Sequence, residues 1–335
     1  MLFKYFNDNM YYLQNGKYLV SDNNVYLVKK DKEYLNSAHR MFSDKFYLHK
    51  NKLNLKTIIK QIIYRLQTPL TLNNSKMLFN GTILFSTNQE KSIKIFDLEN
   101  KLILNKFYKK EDFKINIQNY IYYRDYFLVP TVISIDEENL IYIEEMIDYK
   151  SSNNLTNDEL SIVMERVFND YIHYYSKIKT QYNIKKISDL QNNKLIKMST
   201  LNKLLTIIFN EDYYYTVNSH GDLLNKNLLY KNENVYYIDF ELSGYRYILY
   251  DIFTLIYFLY YTYGNDLFLD DYFSGKYDSY LEEIFKIFNL NYDNKFKIKY
   301  LHIFILERFL DEANDPMFNK NLFISKYKEV IEKYK

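Results

Sequence analysis

Three oxygen-bearing side chains stand in an order that could hold a divalent cation and work on a hydroxyl. Asp222 follows His220 and Gly221, Asn227 comes five residues later, and Asp239 lies in the hydrophobic run VYYIDF that ends at Phe240. An Asp and an Asn brought together offer hard oxygen ligands suited to Mg²⁺, which keeps waters and takes few protein groups beside substrate phosphates. The remaining Asp can then accept a hydroxyl proton. The chain has only 6 Gly and 5 His in 335 residues, so the adjacency of His220 and Gly221 just before Asp222 carries information.

The segments HGDLLNKN (220–227) and IDFE (238–241) resemble the HGDxxxxN loop and the I-D-[FW]-E element of the kinase-like phosphotransferases, the aminoglycoside phosphotransferase and choline kinase group. Gly244 and the run Tyr250-Asp251-Ile252 are similar to that group's short loop ending in a structural Asp at the head of an apolar helix. The resemblance implies an α+β, two-lobed protein-kinase-like fold, with a small antiparallel β lobe before a larger helical lobe. It implies ATP and Mg²⁺ as cofactors, Asp222 as catalytic base, Asn227 and Asp239 as metal holders, and His220, Gly221 and Asp251 as structural residues of the loop. In the first lobe it implies a phosphate-contacting Lys on the third strand, for which Lys106 is the best match, with Lys101 and Lys94 as the other candidates. The run LIYIEEM (140–146) then enters the hinge whose backbone would hold adenine.

The implied activity is transfer of a phosphoryl group to the hydroxyl of a small molecule. Loops of this form also resemble phosphotransferase-like proteins encoded with bacterial surface-polysaccharide genes, which favours a sugar or glycan precursor over an aminoglycoside or choline. The first lobe departs from the pattern. Its hairpin turn (88–91) has no Gly, and the helix after Lys106 has no Glu at the position that pairs with the Lys; in the second lobe, within the HGDLLNKN loop, Leu224-Asn225-Lys226 replace a commoner His-Pro-Gly-like segment. A pseudokinase, with the fold kept for binding alone, is therefore the second reading. A metallohydrolase using His220, Asp222 and Asp239 is disfavoured because no second His lies at ligand spacing.

The elements that must position these residues are legible in the periodicity. Residues 82–87, 92–97 and 101–108 read as strands, 112–123 as a helix, and 129–135 and 140–147 as two further strands. This gives an antiparallel sheet with one helix. After Asp148 the chain reads as helical. Thr156-Asn157-Asp158-Glu159 is a capping box opening a helix with an apolar stripe from Leu160 to Ile178. Further helices are expected at 203–209, 248–263, 277–288, 296–309 and 321–332. Residues 1–75, strand-like at 17–20 and 25–29 and helix-like at 55–66, carry no assignable chemistry. The resulting division is an N-terminal extension (1–75), a nucleotide-binding lobe (76–148) and a helical substrate lobe (149–335).

Composition supplies exclusions. The absence of Cys excludes disulfides, thiolate metal sites and a catalytic thiol. A net charge of +2 provides no basic field for nucleic acid. The most apolar run, 252–263, is too short to span a bilayer. The N-terminal stretch lacks the unbroken apolar core of a signal peptide, so the chain reads as cytoplasmic. The 39 Tyr and 24 Phe read as base bias of an A/T-rich genome rather than as a binding surface.

Overall fold

The computed structural model describes residues 2–21, 24–27, 70–73, 75–86, 91–150, 155–199, 201, 213–315 and 318–334. Its first half is built on β1 (Gly16–Ser21), β2 (Asn24–Leu27), β3 (Leu70–Leu72), β4 (Ile83–Ser86), β5 (Ser92–Asp97), β6 (Leu102–Phe107), β7 (Val132–Asp136) and β8 (Ile141–Glu145). These form one antiparallel sheet in the order β3-β1-β2-β4-β5-β6-β8-β7. The boundary expected at residue 75 therefore falls inside a single sheet, because β1–β3 extend it beyond β4. The helix expected at 55–66 lies outside the described residues.

Strand pleating gives this sheet two unlike faces, since successive side chains point to opposite sides. Lys94 on β5 pairs with Asn105 on β6, and Asn105 with Tyr142 on β8. Phe96, Ile103 and Glu144 share that face by the same registers. The other face carries Ile93, Ile95, Leu104 and Ile141, which are buried with Phe6 of α1 (Leu2–Asn9), Leu13 and Tyr18. Lys106 opposes Ile93 and belongs to this second face.

Between β6 and β7 runs α2 (Lys110–Tyr123). The second half holds α3 (Asn157–Ile178), α4 (Ile187–Asn192), α5 (Lys194–Met198), α6 (Tyr250–Tyr263), α7 (Leu267–Ser274), α8 (Asp278–Ile287), α9 (Lys297–Glu312) and α10 (Lys320–Tyr334). The capping box of α3 forms as expected: the Thr156 hydroxyl accepts from the Glu159 amide and the Glu159 carboxylate accepts from the Thr156 amide. Its stripe from Leu160 to Ile178 is buried against the rest of the lobe. Helix α6 is buried from Tyr250 to Tyr257, which explains an apolar run with no polar face: a helix hydrophobic all round sits inside a core. Among the described residues no helix is long and apolar enough to cross a membrane. The helix expected at 203–209 lies outside the described residues.

Two smaller sheets interrupt the helices, where the sequence pattern showed only the hydrophobic run 235–240. β9 (Asn183–Lys186), β10 (Tyr213–Ser219) and β13 (Gly244–Tyr247) pair in the order β13-β10-β9, and β11 (Leu228–Lys231) pairs with β12 (Asn234–Tyr237). Asn232 and Glu233, both at positive φ, make the tight turn between β11 and β12. Ser219 at the end of β10 pairs with Gly244 at the start of β13. This clamp brings the two ends of segment 219–244 together, so that all three motif side chains are delivered within one closed stretch of chain.

Candidate active site

The loop leaving β10 is fixed from beneath by one carboxyl group. Asp251, fully buried in the first turn of α6, accepts the His220 amide on Oδ2 at 2.7 Å and the Gly221 amide on Oδ1 at 2.9 Å. The Tyr171 hydroxyl donates to Oδ2 at 2.8 Å. Two successive buried amides outside any ladder need acceptors, and Asp251 supplies both. Gly221 has φ +84, and a Cβ there would collide with the Leu242 carbonyl. Only glycine satisfies the dihedral and the close approach together.

His220 is 1% exposed, with its ring 4.7 Å from that of Phe240. Its Nδ1 accepts from the Asp222 amide at 3.3 Å and its Nε2 donates to the Ile238 carbonyl at 2.9 Å. These partners assign a neutral ring protonated on Nε2. The imidazole is thus a strut joining the Asp222 loop to the chain just before Asp239.

Asp222 is half-buried, and each of its carboxyl oxygens has protein neighbours. Oδ2 accepts from Asn227 Nδ2 at 3.2 Å, with Lys226 Nζ 3.9 Å away. Oδ1 lies 3.6 Å from Arg308 Nη2. Arg308 comes from α9; its side chain is 14% exposed, pairs with Glu312 and donates through Nη1 to the Gly221 carbonyl and the Tyr250 hydroxyl, both at 3.3 Å. Burial pushes the Glu312 carboxyl up, Arg308 opposes the shift, and Asp222 adds to it. The motif reading missed Arg308, which follows Asp222 by 86 residues. Arg308 is the one arginine of α9, and no spacing in the sequence ties it to the loop.

Asn227 and Asp239 are joined through the backbone: the Ile238 amide donates to the Asn227 carbonyl at 3.1 Å. The Asn227 amide nitrogen donates to the Asp222 carbonyl at 2.8 Å, leaving its Oδ1 buried with no partner. Asp239 adopts the left-handed conformation, φ 73 and ψ 53, which short polar side chains tolerate best after glycine. The next residue meets the first lobe. Phe240 stacks on Tyr123 of α2 at 4.6 Å, and Asn119 of α2 donates to the Phe240 carbonyl at 2.8 Å. Among the described residues no three His, Asp or Glu side chains could hold a metal by themselves. An orphaned amide oxygen beside a carboxylate nevertheless fits Mg²⁺, whose coordination is largely completed by water and substrate phosphate.

The first-lobe lysine expected at the site is not brought there. Lys106 Nζ lies 5.0 Å from the centroid of the Tyr12 ring, on the sheet face covered by α1. Partial burial pushes its ammonium pKa down, against a small opposing effect of Asp8. Lys101 is exposed beside Asp148. Lys94 occupies the other face. Burial there would lower its pKa, but the carboxylates of Asp239, Glu144 and Glu241 outweigh burial and raise it. Asn105 opposite Lys94 donates to Glu144 Oε1 at 2.9 Å and leaves its own Oδ1 buried without a partner. A small apolar cluster of Ile83, Phe96 and Met146 is built by β4, β5 and the residue after β8.

The helical lobe has a cavity of about 270 Å³ with Tyr257, Tyr261, Phe304 and Phe323 among its walls and Arg308 and Glu312 among its polar lining. Arg308 therefore touches both this cavity and Asp222.

The ecdysteroid kinase-like family model matches residues 135–290. The matched stretch includes Asp222, Asn227, Asp239 and Asp251, and in it the chain resembles kinase-like phosphotransferases. No curated protein matches. Similar solved structures include a thermostable mutant of an aminoglycoside phosphotransferase in ternary complex with AMP-PNP and hygromycin B, with 13% identity over 74% of this chain and 92% of that one and a TM-score of 0.49. An amicoumacin kinase in complex with AMP-PNP and Ca²⁺ is 12% identical over 75% of this chain and 88% of that one, TM-score 0.43. A choline kinase from Streptococcus pneumoniae is 14% identical over 83% of this chain and 98% of that one, TM-score 0.38.

Proposed function

We propose that the protein transfers the γ-phosphoryl group of ATP to a hydroxyl of a small molecule, with a sugar or glycan precursor as the favoured acceptor. The observation that carries this reading is the buried, unpartnered Oδ1 of Asn227, held one hydrogen bond away from Asp222 and joined through Ile238 to Asp239. A buried polar oxygen without a partner disfavours the ligand-free state and is relieved by a cation. Asn227 and Asp239 would hold Mg²⁺, which when bound neutralises charge on the nucleotide phosphates.

Asp222 accepts the proton of the acceptor hydroxyl as its oxygen bonds to the γ-phosphorus. The bond from that phosphorus to the β-phosphate oxygen breaks, ADP leaves, and the proton passes from Asp222 to solvent. Arg308 keeps the Asp222 carboxyl in place while the hydroxyl approaches. The apolar cluster at Ile83, Phe96 and Met146 gives the adenine a surface beside the hinge. The aromatic walls of the cavity beside Arg308 suit the apolar face of a ring, while Glu312, Asp315 and Asn319 supply the few polar contacts that orient a ligand.

The test is a labelled-ATP transfer screen against sugars, aminoalcohols and aminoglycosides. Asp222→Asn should keep binding Mg-AMP-PNP and lose transfer, whereas Asp239→Ala should lose nucleotide affinity as well. Unchanged turnover in Asp222→Asn would sink the mechanism. Transfer to aminoglycosides or choline with none to sugars would replace the acceptor class and leave the chemistry standing.

A further inference from the structure

We infer that Lys94 on β5 is the cation that meets the nucleotide phosphates, and that Asn105 on β6 and Glu144 on β8 hold it in position. This rests on the phosphotransferase reading and assigns a residue within it. The sheet has one face for the cleft and one for its own core. Lys106 is committed to the core face by its register against Ile93, its place beside the cluster of Phe6, Leu13 and Tyr18, and the Tyr12 ring against its ammonium. Lys94 is committed to the other face by its register against Asn105. That face also carries Phe96, part of the apolar cluster with Ile83 and Met146 that would receive the base. A nucleotide with its base on this cluster extends its phosphates along β5 and β6, where Lys94 is two residues from Phe96.

The surroundings of Lys94 favour a retained positive charge. The carboxylates of Asp239, Glu144 and Glu241 each favour its charged form and together outweigh burial, so the ammonium sits in a field of negative charge. Asn105 provides a second, independent sign. Its Nδ2 is fixed by Glu144, while its Oδ1 is buried without a partner on the strand directly opposite Lys94. A buried acceptor of this kind destabilises the ligand-free state unless a donor reaches it. A lysine drawn toward phosphate past Asn105 supplies that donor. On this account the lobe keeps its cation but carries it one strand earlier than the family pattern implies, with a neutral amide on the strand where the lysine was expected.

The assignment is tested on the full chain by titrating Mg-AMP-PNP and, separately, adenosine. Lys94→Met should weaken AMP-PNP binding at least tenfold and leave adenosine binding within twofold, while Lys106→Met leaves both within twofold. Equal loss of AMP-PNP and adenosine in Lys94→Met, no loss of either, or a loss of AMP-PNP in Lys106→Met overturns the inference. Wild-type protein that binds no Mg-AMP-PNP overturns the phosphotransferase reading and this inference with it. An experiment on the unmutated chain covers a Lys94→Met variant that does not fold. An acyl-phosphate derivative of ATP acylates the amine nearest its γ-phosphate: the lysine nitrogen bonds to the acyl carbon, the acyl–phosphate bond breaks, and ATP leaves. Mass spectrometry should find the new amide on Lys94, and an amide on Lys106 or Lys101 instead would refute the assignment.

Discussion

The anchor beneath the 220–227 loop and the patch above it are built on opposite terms. Beneath, Asp251 accepts two loop amides and the Tyr171 hydroxyl, and His220 uses both ring nitrogens. Above, Asn227 Oδ1 and Asn105 Oδ1 are buried without partners, and Asp239 is held in the left-handed region. The lower region satisfies its polar groups within the protein and so specifies one conformation. The upper region leaves hydrogen-bonding capacity for something the chain does not contain. A rigid loop with an unsatisfied surface is the division that preorganised chemistry requires, because the reacting group is placed before the ligand arrives.

The lower region is most sensitive at Asp251. Asp251→Ala leaves two buried amides and a hydroxyl without an acceptor and should destabilise the fold by about 4 kcal/mol, read as a lowered urea midpoint. A loss below about 1 kcal/mol would show that water replaces the carboxyl, and that the anchor is less closed than it looks.

Next comes Glu307 of α9, which supports β13 by accepting the Tyr247 amide at 2.8 Å. Burial pushes its carboxyl up to about 7 from an ordinary value of 4.5. Because the folded value is the raised one, the protonated folded form has its full advantage below pH 4.5, and the advantage is lost as pH rises through about 7. The loss across that window is on the order of 3 kcal/mol. Thermal midpoints should therefore fall between pH 5 and pH 8, and Glu307→Gln should flatten the trend. A slope that survives the substitution assigns it to another group.

Gly221→Ala should cost about 2 kcal/mol in stability through its positive φ and the Leu242 carbonyl, and should depress transfer more than nucleotide binding. The mildest break is Arg308→Ala, which removes a neighbour of Asp222 Oδ1 but leaves the Asp251 anchor intact. Transfer should drop about tenfold, roughly 1.4 kcal/mol, with Mg-AMP-PNP affinity unchanged and partial recovery in Arg308→Lys. Loss of nucleotide affinity instead would assign Arg308 to the upper, ligand-facing region.

Much of the scaffold was legible because it depends on local rules. The capping box at Thr156, the stripe of α3 and the strands β5, β6 and β8 follow from spacing alone, and the structure places each within a few residues of its expected bounds. The small sheet β13-β10-β9 was not legible. β9 is a four-residue, exposed edge strand with no alternation, and only its long-range pairing with β10 defines it. The tyrosines illustrate a third case. Base bias accounts for their number, while the fold gives many of them a core position with the hydroxyl satisfied, as where Tyr175 donates to the Ile248 carbonyl and Tyr174 to the Asn218 carbonyl.

By itself the sequence determined the loop: His220, Gly221, Asp222, Asn227 and Asp239 lie within 20 residues, so a hairpin and a turn suffice to bring them together. The tertiary structure alone decided which lysine faces them and which arginine stands behind them. The run LILNKF of β6 places apolar residues on both sides of the strand, so alternation could not say which side is the cleft until α1 covered one face. Arg308 had no spacing to announce it, because its approach to Asp222 depends on how α9 packs against α6, a matter of long-range packing that no local pattern encodes.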